Sequence, residues 1–187
     1  MPLTHIIEKP FRPFVWAAFA FTLLLSACRS SKHLELSKSE TTMGLTKSMA
    51  YFFQYLGYVP SERDHLPLLE AAVSWLGTPY KYGGLTKEGV DCSGLTYQLS
   101  ETAYNIKLHR SSQEQFDKDV TLIRSGKLQQ GDLLFFTSPN ANGKITHVGL
   151  FLRGKRFIHA GSKGVEIAIF TDKYWQDNFI AAGRRLH

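Results

Sequence analysis

Ile145-Thr146-His147-Val148-Gly149-Leu150-Phe151-Leu152-Arg153-Gly154-Lys155-Arg156-Phe157-Ile158-His159-Ala160 reads as two strand-like runs around a glycine-containing turn, the pattern of an antiparallel hairpin. A three-residue loop at Arg153-Gly154-Lys155 would set Leu152 opposite Arg156 and Gly149 opposite His159. His147 and His159 would then be diagonal neighbours on one face, with Gly149 leaving room beside the imidazoles. A two-residue loop would put them on opposite faces, because side chains alternate along a strand.

Further strand-like runs at Leu133–Phe136, Val165–Phe170 and Phe179–Arg185 are separated by turn residues such as Pro139, Asn140 and Asn142-Gly143. Helical spacing dominates upstream. Pro67 opens a run in which Leu68, Leu69, Ala72, Val73 and Leu76 recur on one face, and Gly77-Thr78-Pro79 stops it. Ser93 to Tyr104 reads as a second helix, with Leu95, Leu99 and Ala103 four apart, and Ser111-Ser112-Gln113-Glu114 has the form of a capping box for a short third one through Phe116. Helices first and an antiparallel sheet after predict an α+β fold, with N-terminal helices packed on the sheet.

The chemistry points to Asp91-Cys92-Ser93-Gly94-Leu95. A thiol at a helix N-terminus is favoured as thiolate by the dipole and the free N–H groups, which lower its pKa from about 8.5 into the range ~3.5–7.5. Taken singly, a cysteine is usually inert and a strand histidine usually a packing or surface residue. The combination reads differently: His147 is placed to take the thiol proton and His159 to orient it, the relay of a nucleophilic enzyme. Asp91 reads as the cap of the Cys92 helix, and Tyr80 as a packing residue or a donor to a developing oxyanion. His5, His33, His65, His109 and His187 lack a comparable setting and read as structural or surface residues.

A length of 187 residues with 43% hydrophobic content suffices for one domain with a core, and the formal charge of +6 suggests an anionic neighbour. Nucleic acid is not expected, since there is no basic helix with interleaved aromatics and no zinc-type cysteine spacing. His5, Lys9 and Arg12 precede the apolar run Phe14–Leu25, whose dozen residues make only ~18 Å of helix against the ~30 Å of a bilayer core. Residues 1–27 therefore read as a signal peptide. Leu25-Ser26-Ala27-Cys28 resembles a bacterial lipobox, so Cys28 is expected to carry lipid; the competing reading is a chance cysteine or a disulfide to Cys92. Residues 28–66 read as the lipidated N-terminus and a polar tether, its about 36 flexible residues spanning roughly 30–36 Å, and 67–187 as the domain. The aromatic patch at 51–58 either packs on the domain or forms a separate contact surface.

Seven segments carry a family resemblance: Gly77-Thr78-Pro79-Tyr80-Lys81-Tyr82-Gly83-Gly84, Asp91-Cys92-Ser93-Gly94-Leu95, Arg110-Ser111-Ser112, Gly131-Asp132-Leu133-Leu134-Phe135-Phe136, His147-Val148-Gly149-Leu150-Phe151, Phe157-Ile158-His159-Ala160 and Ala182-Gly183-Arg184-Arg185. In this order they resemble the NlpC-type peptidoglycan endopeptidases. The resemblance implies a papain-like fold and hydrolysis of the bond between γ-D-glutamate and meso-diaminopimelate or lysine in wall stem peptides. It implies Cys92 as nucleophile, His147 as base and His159 as third polar residue, with Tyr80 near the oxyanion and Asp91 and Ser93 lining the site. His109 departs from the proline common at that place. No cofactor or metal is expected, and the partners expected are peptidoglycan stem peptides and, through Cys28, a lipid bilayer, with the protein a monomer in the bacterial envelope. Arg29, where an aspartate would retain a lipoprotein at the inner membrane, favours the outer membrane facing the periplasm. An amidase or acyltransferase on the same fold, or a noncatalytic wall-binding lipoprotein, are the rival readings.

Overall fold

The computed structural model describes residues 47–186, so the leader read over 1–27, Cys28 and the tether up to residue 46 lie outside the described residues. Helix α1, described over residues 47–56, buries Phe52 and Leu56, one turn apart, while Tyr51, Phe53 and Tyr55 stay exposed. The aromatic patch is thus split between core and surface. The compact unit that holds Phe52 and Leu56 runs Ala50–His187.

Helix α2 (Leu66–Trp75) begins with proline in its first turn and buries Leu68, Leu69, Ala72 and Val73. A two-stranded ribbon, β1 (Leu85–Thr86) and β2 (Gly89–Val90), then delivers the chain to α3 (Cys92–Tyr104). Asp91 accepts from the N–H of Gly94 at 2.7 Å to cap α3, and Asn105 ends it in the left-handed region. Helix α4 (Ser112–Lys118) opens on the expected box, Ser111 accepting from the Glu114 N–H at 3.2 Å and donating to its carboxylate at 2.9 Å.

Six strands follow: β3 (Val120–Ile123), β4 (Leu133–Phe136), β5 (His147–Arg153), β6 (Arg156–Gly161), β7 (Gly164–Ile169) and β8 (Phe179–Arg185), with helix α5 (Lys173–Asp177) between the last two. They form one antiparallel sheet in the order β3-β8-β4-β5-β6-β7. Alternation in β4 serves two cores: Leu133 and Phe135 join the apolar cluster shared with α2 and α3, while Leu134 and Phe136 join Phe151, Phe157 and Phe170. The fold is α+β, as the order of helical and strand-like runs predicts.

The β5–β6 hairpin departs from its expected form. Arg153 pairs with Arg156, so the loop has two residues, Gly154 and Lys155, both in the left-handed region at φ +57° and +69°. That is the turn hand that matches strand twist. A bulge between Phe151 and Arg153 takes up the odd residue, so Leu150 faces Ile158 and Phe151 faces Phe157, the register a three-residue loop would have set. The histidines share a face through a bulge. Gly149 is also reassigned: a Cβ there would come within 2.5 Å of the Phe157 ring, so its small size accommodates Phe157.

Two motif segments serve the frame. Buried Asp132 accepts from Arg184 Nε and Nη2, both at 2.9 Å, and Arg185 donates to the Gly131 carbonyl at 2.7 Å while stacking over the Tyr104 ring. These contacts tie β8 to the turn before β4.

Candidate active site

The capped start of α3 positions Cys92. Gln115, fully buried, donates to the carbonyls of Ser93 (3.0 Å) and His109 (2.9 Å) and accepts from Thr96 (2.8 Å), fixing α4 against the first turn of α3. Asp91 also accepts from the Gly83 N–H (2.8 Å) and, through both oxygens, from Arg110 (2.8 and 2.7 Å), which donates in addition to Ser93 Oγ (3.0 Å) and the Gly84 carbonyl (3.0 Å). Burial alone would raise the Asp91 pKa; the guanidinium of Arg110 and the N–H groups of Gly94 and Gly83 hold it below the usual carboxylate value. A Cβ on Gly94 would fall 2.4 Å from the Gly84 carbonyl, so only glycine lets the loop cross this close to the helix start.

The Cys92 thiol lies against the backbone N–H of Val148, the residue after His147, and the N–H groups of Ser93 and Cys92 itself. Its pKa is nevertheless pushed up: burial dominates and the charge of Asp91 adds to it, against the lowering by the three N–H groups. This reverses the direction expected from a helix start alone, because burial of the thiol and the charge of Asp91 outweigh the N–H groups.

His147, at the start of β5, meets His159 of β6 through its Nε2, 3.2 Å from His159 Nδ1, with the rings nearly perpendicular. Burial lowers the His147 pKa to about 4 and that of His159 to about 3, the latter helped by His147. Both imidazoles are neutral near pH 7, and each meets Trp175 of α5, His147 stacked at 5.8 Å and His159 edge-on at 4.7 Å between ring centroids.

Two cavities meet at Tyr80 and Thr146, which line both. One, of about 520 Å³, holds Cys92, Asp91, Ser93, Tyr82 and Arg110; the other, of about 690 Å³, holds His147, His159, Lys163, Glu166, Tyr174 and Trp175. Thiol and histidines therefore line adjoining cavities that share Tyr80 and Thr146. Burial raises the Tyr80 pKa, with Cys92 and Asp91 adding to it, so the phenol stays protonated and can donate. His109 sits apart, its ring Nδ1 2.6 Å from Asp119. No cluster of metal-ligating residues occurs among the described residues.

Residues 77–184 match the model of the NlpC/P60 family. The chain belongs to this family. Among its relatives, "Probable endopeptidase NlpC" of Escherichia coli K12 is 42% identical over 113 residues, covering 59% of this chain and 71% of the relative. The E. coli K12 protein "Murein DD-endopeptidase MepS/Murein LD-carboxypeptidase" is 31% identical over 176 residues, 90% of each chain. A crystal structure of a lipoprotein-like NLP/P60 protein from Staphylococcus aureus Mu50 superposes with a TM-score of 0.59 at 34% identity, over 70% of this chain; the chain spans 46% of that one.

In this NlpC/P60 domain, three side chains that shape the site, Arg110, Glu166 and Trp175, are not singled out by any local sequence pattern. Arg110 stands in the sequence only as a lone arginine in Arg110-Ser111-Ser112, with no local pattern tying it to Asp91. Trp175 and Glu166 carried no local signal, since both reach the histidines through tertiary packing.

Proposed function

We propose that the protein is a cysteine endopeptidase that hydrolyses peptidoglycan stem peptides, with Cys92 as nucleophile, His147 as base and His159 as the residue that orients it. The observation that carries this reading is the His147 Nε2 to His159 Nδ1 contact, in a cavity adjoining the one lined by Cys92 at the capped N-terminus of α3. With Nε2 so engaged, His147 Nδ1 takes the thiol proton as Sγ attacks the scissile carbonyl, and the C–N bond breaks as the imidazolium returns that proton to the leaving amine. Water, deprotonated by the same nitrogen, then cleaves the thioester and restores the thiol. The N–H groups of Cys92 and Ser93 and the phenol of Tyr80 face the developing oxyanion, while Asp91, Ser93 and Arg110 shape the wall of the acyl side.

The bond assigned is the γ-D-glutamyl–diaminopimelate amide. A second reading, cleavage of DD crosslinks, is supported by the name of the relative that aligns over 90% of both chains. Lipid on Cys28 would hold the protein at the envelope, on the outer membrane facing the periplasm, as a monomer. Mass spectrometry of defined muropeptides separates these bonds by product mass. The intact enzyme is expected to release products and Cys92→Ala to release none while keeping its circular dichroism; wild-type-like turnover in Cys92→Ala would overturn the nucleophile assignment.

A further inference from the structure

We propose that Glu166 is a positioning residue that holds the His159 ring in the tautomer the base requires, extending the line Cys92–His147–His159 by a fourth member. The inference rests on the proposed role of His147 and follows from proton accounting. To accept the thiol proton at Nδ1, neutral His147 must carry its own hydrogen on Nε2 and donate it to His159 Nδ1, 3.2 Å away. His159 Nδ1 must then be the bare nitrogen, which places the His159 hydrogen on Nε2. That Nε2 is buried and has no hydrogen-bond partner among the described residues. A buried N–H without an acceptor is costly, and the opposite tautomer would escape the cost by turning the relay round.

Glu166 supplies the missing bias. It sits directly opposite His159 in the β6–β7 ladder, so the two side chains share a face, and its Oε1 lies 3.7 Å from His159 Nε2. The carboxylate is half-exposed and free to swing the remaining few tenths of an ångström, while the imidazole, 3% exposed, is held between Phe157 and Trp175. A negative charge at this end favours hydrogen on Nε2 and stabilises the imidazolium formed at His147 during attack. The other ionisable groups lining this cavity are His147 from β5, Tyr80 before β1, Lys163 in the β6–β7 turn and Tyr174 on α5. None of these stands in the ladder position opposite His159, which Glu166 occupies, and His147 already meets the other ring nitrogen of His159.

The test uses the full chain labelled with ¹⁵N-histidine, in which long-range proton–nitrogen correlations report which ring nitrogen bears hydrogen. At neutral pH the resting wild type is expected to show hydrogen on Nε2 of both His147 and His159. In Glu166→Val, a strand-compatible change, His159 should shift toward the Nδ1–H form and kcat should fall about tenfold with KM little changed, on the scale of one lost hydrogen bond. Glu166→Gln, which keeps an acceptor oxygen, should recover most of both signals. Wild-type hydrogen on His159 Nδ1, or a tautomer unmoved in Glu166→Val, overturns the proposal, and so does a raised KM with the tautomer intact, which would assign Glu166 to substrate. Because the spectrum is read without substrate, its failure is distinct from a failure of Cys92 to be the nucleophile.

Discussion

At the residue scale, the thiol and the two histidines rest without charge. Cys92 is held above its ordinary value by burial and by Asp91, and His147 is held near 4 by burial, so the proton rests on sulfur until a carbonyl arrives. Alkylation of Cys92, the free cysteine among the described residues, is therefore expected to be slow near neutrality and to keep accelerating as pH passes 9.0; a plateau reached below neutrality would show a preformed thiolate. The histidines divide the labour unequally. His147 changes protonation in every turnover and His159 only orients it, so His147→Gln is expected to lower kcat by about 10²–10⁴-fold and His159→Gln by about tenfold. Steady-state rates of both variants on one muropeptide check this, and equal losses would reverse or abolish the division.

At the element scale, the β5–β6 hairpin decides whether the histidines meet. Its register depends on a two-residue turn plus a bulge, and Lys155 adopts φ +69° without the conformational freedom of glycine. Lys155→Gly should relieve that cost and raise stability by about 0.5–1 kcal/mol, read as a shifted urea midpoint with unchanged slope and unchanged kcat. A loss of stability would mean that the Lys155 side chain contributes packing that outweighs its backbone strain. Helix α5 is the other decisive element: five residues long, it contributes Trp175, which packs against both imidazoles.

At the scale of the whole molecule, the same burial couples the site to stability. Both imidazoles have folded pKa values below the ordinary 6.5, about 4 and about 3, so the unfolded chain takes up protons first as pH falls. The stability conferred by keeping them neutral is thus complete above about 6.5 and is lost as pH falls from there toward 4. Asp91 acts in the same sense at lower pH, since its carboxyl is held below the ordinary 3.8. The thermal midpoint is expected to drop steadily between about pH 6.5 and pH 4, and His159→Gln should flatten part of that slope; a midpoint flat over this range would contradict the buried-neutral state of the pair.

What the sequence by itself determined is what depends on neighbours a few residues away. The Asp91 cap, the Ser111–Glu114 box, the apolar face of Leu68, Leu69, Ala72 and Val73, and the alternating runs of the sheet are local patterns, and they sufficed for the α+β class and for the order thiol, histidine, histidine. Tertiary structure decided the rest. Loop length alone did not reveal the bulge that puts His147 and His159 on one face, because a bulge is selected by packing along the whole ladder, here by Phe151 against Phe157. Nor could a helix start fix the direction of the Cys92 shift, since burial is the sum of everything that covers a group. Arg110, Glu166 and Trp175 reach the site from 18, 74 and 83 positions beyond Cys92, and a through-space contact of that kind leaves no period, cap or turn in the chain for local reasoning to read.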